Sequence, residues 1–172
     1  EGRKEFYRAY GVDPWGTGFC FARPFLERVV GEESGHVDVL GINCGLGAGP
    51  LKVKEQIKEY CHNTDVAIYN ITDAPQFLAD LKGVSDTAHR VSDLVQAEAF
   101  LSQRSFRYIV WEDPFLTGED PPRLVTLVTQ ALASGGRLFA KKGAQIVGTA
   151  QEQMTWNELD DEWTMLSSIL RD

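Results

Sequence analysis

The chain is short of basic charge: 17 Lys and Arg stand against 25 Asp and Glu over 172 residues, a formal net charge of −8. That balance disfavours, without excluding, a nucleic-acid binder, because neutralising phosphates takes clustered Lys and Arg. The local groups Lys52, Lys54 and Lys58, and Lys141 and Lys142, read as solvated helix and strand-end residues. Cysteine is scarce too. Cys20, Cys44 and Cys61 make no CxxC pair and no disulfide framework, so a reducing, intracellular setting is expected. His36, His62 and His89 are scattered without metal-ligand spacing, and no metal site is expected. No apolar run approaches the roughly 20 residues that span a bilayer, so no membrane-spanning helix is expected. The first residues, Glu1-Gly2-Arg3-Lys4-Glu5, carry neither an initiator Met nor a signal-peptide core, which reads as a fragment or a processed chain.

What is there is an ordinary globular composition, long enough for one domain with a real core. The organising stretch runs from His36 to Pro50. An apolar strand over Val37–Ile42 enters a cluster of Gly45, Gly47 and Gly49, and Pro50 suits the first turn of a helix that the spacing carries to Tyr60. Strand, glycine loop and helix together bring bare backbone close to a nucleotide-like ligand at a helix N-terminus.

Upstream, residues 1–20 mix Tyr10, Trp15 and Phe19 with glycines, and Phe21–Val30 reads as a short helix. Downstream, strands are expected at Val66–Tyr69, Ala88–Val91, Phe106–Trp111 and Arg137–Ala140, with a short edge strand over Ala144–Thr149. Helices are expected at Gln76–Leu81, at Leu94–Leu101 and from Pro121 to Leu132, where Leu124, Leu127, Val128, Ala131 and Leu132 keep helical spacing. Thr155-x-x-Glu158 has the form of a capping box, with Leu159, Trp163, Leu166 and Leu170 along one face of a terminal helix over 155–171. The alternation predicts an α/β fold, a three-layer sandwich with a mainly parallel sheet, in a single domain over 1–172.

The glycine spacing separates ligand classes. A dinucleotide loop needs G-x-G-x-x-G, but counting from Gly45 puts Pro50 at the sixth position, which opposes a nucleotide-binding oxidoreductase. No Gly-Lys-Ser/Thr follows, so a P-loop is excluded. The chain instead resembles the class I S-adenosylmethionine-dependent methyltransferases, from about residue 20 to residue 140. Val39–Gly49 is similar to that family's strand followed by (Asp/Glu)-x-Gly-x-Gly-x-Gly. Tyr69-Asn70-Ile71-Thr72 falls where an acid ends the second strand, Ser92-Asp93-Leu94 where an Asp ends the third, and Leu132–Leu138 resembles Leu-x-x-Gly-Gly-x-Leu before the fifth.

The resemblance implies a cofactor, S-adenosylmethionine, bound over Gly45, Leu46, Gly47 and Gly49, with Asn70 at the ribose and Asp93 and Leu94 at the adenine. Glu112-Asp113-Pro114-Phe115 falls where amino-group methyltransferases carry (Asn/Asp/Ser)-Pro-Pro-(Phe/Tyr/Trp). This makes Pro114 and Phe115 candidate substrate contacts and Glu112 and Asp113 candidate catalytic acids. Three positions depart from the pattern: Gly41 stands for the first acid, Asn43 for the first glycine, and Asn70 for the ribose-binding acid. An amide still bonds a hydroxyl, but without the charge assistance that roughly doubles such a bond.

The family closes its sheet with two further strands, whereas only one short strand is expected here before the terminal helix. Part of that C-terminal hairpin is therefore expected to be missing, leaving an edge for a partner protein or a further domain to cover. Two functions follow as expectations: a working methyltransferase, or a catalytically inactive methyltransferase-like scaffold or binding module within a larger assembly.

Overall fold

The computed structural model describes residues 33–141 and the backbone of 154–158 and 163–168. The aromatic segment 1–20, the helix expected at Phe21–Val30 and the strand expected at Ala144–Thr149 lie outside the described residues. Seven strands form one sheet, β1 (Gly35–Ile42), β2 (Thr64–Thr72), β3 (Thr87–Arg90), β4 (Phe106–Trp111), β5 (Leu132–Lys141), β6 (Met154–Glu158) and β7 (Trp163–Ser168), in the order β3-β2-β1-β4-β5-β7-β6. The first five are parallel; β7 runs antiparallel to both β5 and β6. The helices are α1 (Ala48–Tyr60), α2 (Leu78–Val84, after a 3₁₀ turn at Pro75–Phe77), α3 (Leu94–Leu101) and α4 (Pro121–Gln130). The α/β layered fold expected from the pattern is observed, and no described helix is long and apolar enough to cross a membrane.

Both faces of the parallel sheet are buried, as βαβ crossovers require. On one face Val37, Val39, Val66, Tyr108, Val110 and Phe139 pack with Val53 and Ile57 of α1. On the other, Leu40, Ile42, Ile71, Ile109, Trp111 and Leu138 pack with Ala97 and Leu101 of α3 and Leu124, Val125 and Val128 of α4. The helix starts follow local chemistry. Asp93 caps α3 by accepting from Gln96 N at 2.8 Å, while Gln96 Oε1 takes Ser92 N at 2.8 Å. Asp120 caps α4 by accepting from Arg123 N at 3.2 Å, ahead of Pro121 and Pro122.

Two expectations at the C-terminal side are corrected. Among the described residues no terminal helix stands where it was expected: Thr155 and Glu158 lie in β6 rather than in a capping box, and Trp163 and Leu166 lie in β7. Leu159 and Leu170 are outside the described residues. Accordingly the C-terminal hairpin is present, and the edge of β5 is taken by β7 through the register Arg137↔Ser167 to Lys141↔Trp163. The backbone donors and acceptors of a ten-residue strand outweigh the helical spacing of four apolar residues. Likewise α4 ends at Gln130 and β5 begins at Leu132, with the left-handed Gly135 (φ 73°) inside the strand beside a register shift opposite Phe106 and Tyr108.

Candidate functional site

The strand order reverses direction between β1 and β4, each leading away to its own side of the sheet. In open α/β sheets ligands sit outside the carboxyl ends of the strands at such a switch point. The loop after β1 leaves from this place. Asn43 (φ 50°), Gly45 (φ 55°) and Gly47 (φ 85°) are all left-handed, so alternate residues turn the chain tightly into α1. Asn43 therefore does what the glycine expected there would do, because its short amide side chain tolerates this backbone. Gly47 is the N-cap of α1 and no side chain among the described residues caps the helix, which leaves backbone donors in its first turn without such a partner. Every residue from Gly41 to Pro50 is buried. Leu46 packs with Ala48 and Phe77.

The side chains around this loop are arranged differently from the expectation. Asn70 is 1% exposed and lies across Gly41: a Cβ on Gly41 would fall 2.1 Å from Asn70 Oδ1 and 2.6 Å from Pro50 Cγ. The glycine and the amide are thus one steric unit, since an acid at 41 and Asn70 in this pose exclude each other. Asn70 Nδ2 donates to Ser85 Oγ at 2.7 Å, while its Oδ1 has no hydrogen-bond partner among the described residues. A Cβ on Gly47 would meet Val84 and Leu81 of α2 at 3.0 and 3.1 Å. Asp93 and Leu94 follow β3 as the N-cap and first residue of α3, and Asp93 spends Oδ1 on the cap.

Asn43 is the hub of the rim. Its Nδ2 donates to Asp73 Oδ1 (3.0 Å) and Pro114 O (2.6 Å), and its Oδ1 accepts from Thr72 Oγ1 (2.9 Å) and Asp73 N (3.2 Å). Asp73 Oδ2 in turn accepts from Leu116 N at 2.9 Å. One side chain after β1 thereby ties the ends of β2 and β4 across the switch point. Sequence reasoning placed Asn43 in the loop but missed this network; the signal was an amide in a glycine position with Asp73 near by.

The segment after β4 turns inward. Phe115 is fully buried in the cluster with Leu124, Val125 and Val128, so it packs under α4 and offers no ring to a substrate. Pro114 gives its carbonyl to Asn43, and the Asp113 carbonyl accepts from Trp111 Nε1 at 3.1 Å. Glu112 remains: it is 4% exposed and its Oε2 has no hydrogen-bond partner among the described residues. Burial first, then the neighbouring Asp113 charge, pushes its carboxyl up to about 7, against the pull of Lys141. Asp113 is raised as well, by desolvation, again with Lys141 opposing. Cys44 donates to Val110 O at 3.2 Å, and burial, then Glu112, push its thiol well up, which makes it an inert core residue. Among the described residues no three His, Cys, Asp or Glu side chains gather as a metal site.

No protein-family model matches the chain, and no curated protein matches it in sequence. Solved structures do match in shape. A putative S-adenosylmethionine-dependent methyltransferase from Streptococcus mutans superposes with a TM-score of 0.57 at 13% identity, over 88% of this chain and 50% of that one. A putative class I S-adenosylmethionine-dependent methyltransferase from Listeria monocytogenes gives 0.57 at 13%, over 86% and 58%. A putative methyltransferase solved in complex with SAH gives 0.53 at 10%, over 88% and 50%. The chain therefore has the class I methyltransferase-like fold. It spans about half to three fifths of the length of these structures.

Proposed function

We propose that this chain is an S-adenosylmethionine-binding methyltransferase domain whose cofactor lies over the loop after β1. The observation that carries the reading is the succession of left-handed Asn43, Gly45 and Gly47 running into an α1 that no side chain caps, beside the switch point of a class I methyltransferase-like sheet. The fit of the residues to the cofactor is mixed but workable. Gly45, Leu46, Gly47 and Gly49 supply backbone against which a ligand can lie, and Asn70 Oδ1, buried and without a partner among the described residues, is an acceptor suited to a ribose hydroxyl. Asp93 keeps one carboxylate oxygen outside its capping bond for an amino group.

Asn70 gives a neutral hydrogen bond where a carboxylate would give one about twice as strong, so the cofactor is held less tightly than in a site with an acid there. When bound, the cofactor supplies a methyl group on a sulfonium, which leaves readily. The chain's own part is to orient the reactants and to exclude water.

A second reading has its own observation. Asn70 lies across Gly41 and Asn43 holds Pro114 O, a rim whose polar groups are largely satisfied internally. That favours a non-catalytic module that keeps the fold as a scaffold or binding surface. Calorimetric titration with S-adenosylmethionine separates the two. Saturable binding that Gly47→Arg abolishes supports the cofactor site; a heat trace flat up to millimolar cofactor leaves the scaffold reading standing.

A further inference from the structure

The rim of β4 favours one class of methyl acceptor over another. An amine brings two or three N–H donors to this rim, where the Asp113 carbonyl already accepts from Trp111 Nε1 at 3.1 Å and the Pro114 carbonyl from Asn43 Nδ2 at 2.6 Å, leaving one lone pair on each, whereas a hydroxyl brings a single donor. Phe115 is fully buried in the core, so its own ring face is not offered for stacking on such a group. What β4 does offer is Glu112, 4% exposed and with Oε2 lacking a hydrogen-bond partner among the described residues. An unpartnered buried oxygen is costly to keep, and it lies at the switch point, where a ligand is expected. Glu112 directly follows the pair Trp111↔Ala140, so Lys141 is its neighbour in register on β5. Asp113 beside it and Cys44 from the loop after β1 complete the titratable and charged groups that face it among the described residues.

We propose that the acceptor is a hydroxyl-type nucleophile and that Glu112 takes its proton. This rests on the cofactor reading above. In the step, the acceptor's O–H bond breaks and its proton forms an O–H bond on Glu112 Oε2. The freed electron pair on oxygen forms the new O–CH3 bond, and the pair of the breaking S–CH3 bond stays on sulfur, which becomes a neutral thioether. No further reactant is needed. A carboxyl that ionises at about 7 suits this task, because half of it is then in the accepting form at neutral pH while it remains basic enough to hold the proton.

The test uses the full chain, with p-cresol as the hydroxyl probe, benzylamine as the amine probe and radiolabelled S-adenosylmethionine. Calorimetry with S-adenosylhomocysteine comes first: failure of the wild-type chain to bind it refutes the cofactor reading, and with it any acceptor. Given binding, Glu112→Gln is expected to leave that affinity within about twofold. Infrared difference titration of the wild type is expected to contain a carboxyl band with a midpoint about 7 that Glu112→Gln removes. Methylation of p-cresol is expected to rise with pH through the same midpoint and to fall by about 100-fold or more in Glu112→Gln, the usual contribution of a positioned base. The proposal is overturned if a cofactor-binding wild type methylates benzylamine but not p-cresol, or neither. It is equally overturned if Glu112→Gln leaves p-cresol methylation or the infrared titration unchanged.

Discussion

The mutual exclusion of Gly41 and Asn70 makes a quantitative prediction. Substituting Gly41→Ala places a Cβ 2.1 Å from Asn70 Oδ1 and 2.6 Å from Pro50 Cγ, in a strand whose neighbours are wholly buried. Contacts of this kind relax near about 3.5 Å, so both partners have to give, Asn70 Oδ1 by more than Pro50 Cγ. Asn70 is held by Ser85 Oγ at 2.7 Å, and Pro50 is fixed in the first turn of α1. Overpacking of a buried site costs about 1–3 kcal/mol, against which alanine recovers roughly 0.5–1 kcal/mol of the entropy that glycine loses in a strand. The net is a loss of about 1–2 kcal/mol, which for a chain of this size lowers Tm by roughly 2–4 °C per kcal/mol.

Asn70→Ala removes the nearer of the two obstacles, so Gly41→Ala is expected to cost less in that background, with a coupling on the order of 1 kcal/mol. Urea denaturation followed by circular dichroism on the four proteins of the cycle measures it. Gly41→Ala at wild-type stability, or an equal loss in both backgrounds, would refute the steric pairing. The pairing also explains why restoring an acid at 41 alone is not expected to strengthen cofactor binding: the acid would have to displace the amide first.

Other outcomes follow from the rim and the opposite end of the sheet. Glu112 has its carboxyl raised from 4.5 to about 7 in the fold, so the folded chain binds the extra proton. Stability from this group is greatest below about 4.5 and falls as pH rises toward 7, by roughly 3 kcal/mol in all. Glu112→Gln is therefore expected to be more stable than wild type at pH 8 by urea denaturation, and to lack that slope. Asn43→Gly suits the left-handed backbone but leaves Thr72 Oγ1, Asp73 N and Pro114 O without their partner. At about 1–3 kcal/mol for an orphaned buried group, softened by entering water, a loss of roughly 2–4 kcal/mol is expected in the same assay. His36, exposed at the start of β1, hydrogen-bonds Asp65 at 3.0 Å and Asp38 at 2.5 Å, and both raise its pKa above 6.5, Asp65 most. Its stabilising effect is complete below 6.5 and lost as pH rises through the raised value. Its NMR titration midpoint is expected to fall further in Asp65→Asn than in Asp38→Asn.

The layers of the fold were legible in the sequence because local and global signals agreed. Phe106–Trp111 and Leu94–Leu101 keep the bounds read from the sequence, one an apolar stretch interrupted only by Arg107 and the other a helically spaced run that the structure shows to be capped by Asp93. The C-terminal hairpin was not legible. Leu159, Trp163, Leu166 and Leu170 fit a helical stripe, and only the open edge of β5, a feature of the assembled sheet, decides for strand. At the site, the glycine loop and the left-handed tolerance of Asn43 could be read, since backbone conformation is a local property. The Asn70–Gly41 pairing and the Asn43 hub could not, because they join residues far apart in the chain, 30 positions for Asn43 and Asp73 and 71 for Asn43 and Pro114, whose partners no spacing specifies.

The amide of Asn43 also sets which parts of the chain breathe together. The backbone N–H of Asp73 is held by Asn43, and that of Leu116 by Asp73, although the two loops are 43 residues apart in sequence. Each proton sits in its own hydrogen bond, and the two bonds meet at the Asn43–Asp73 pair. The loops after β2 and β4 should therefore exchange hydrogen at a common rate, as a single cooperative unit. Any ligand that settles at the switch point acts on both loops at once, and its arrival would be felt as a matched slowing of exchange at Asp73 and Leu116.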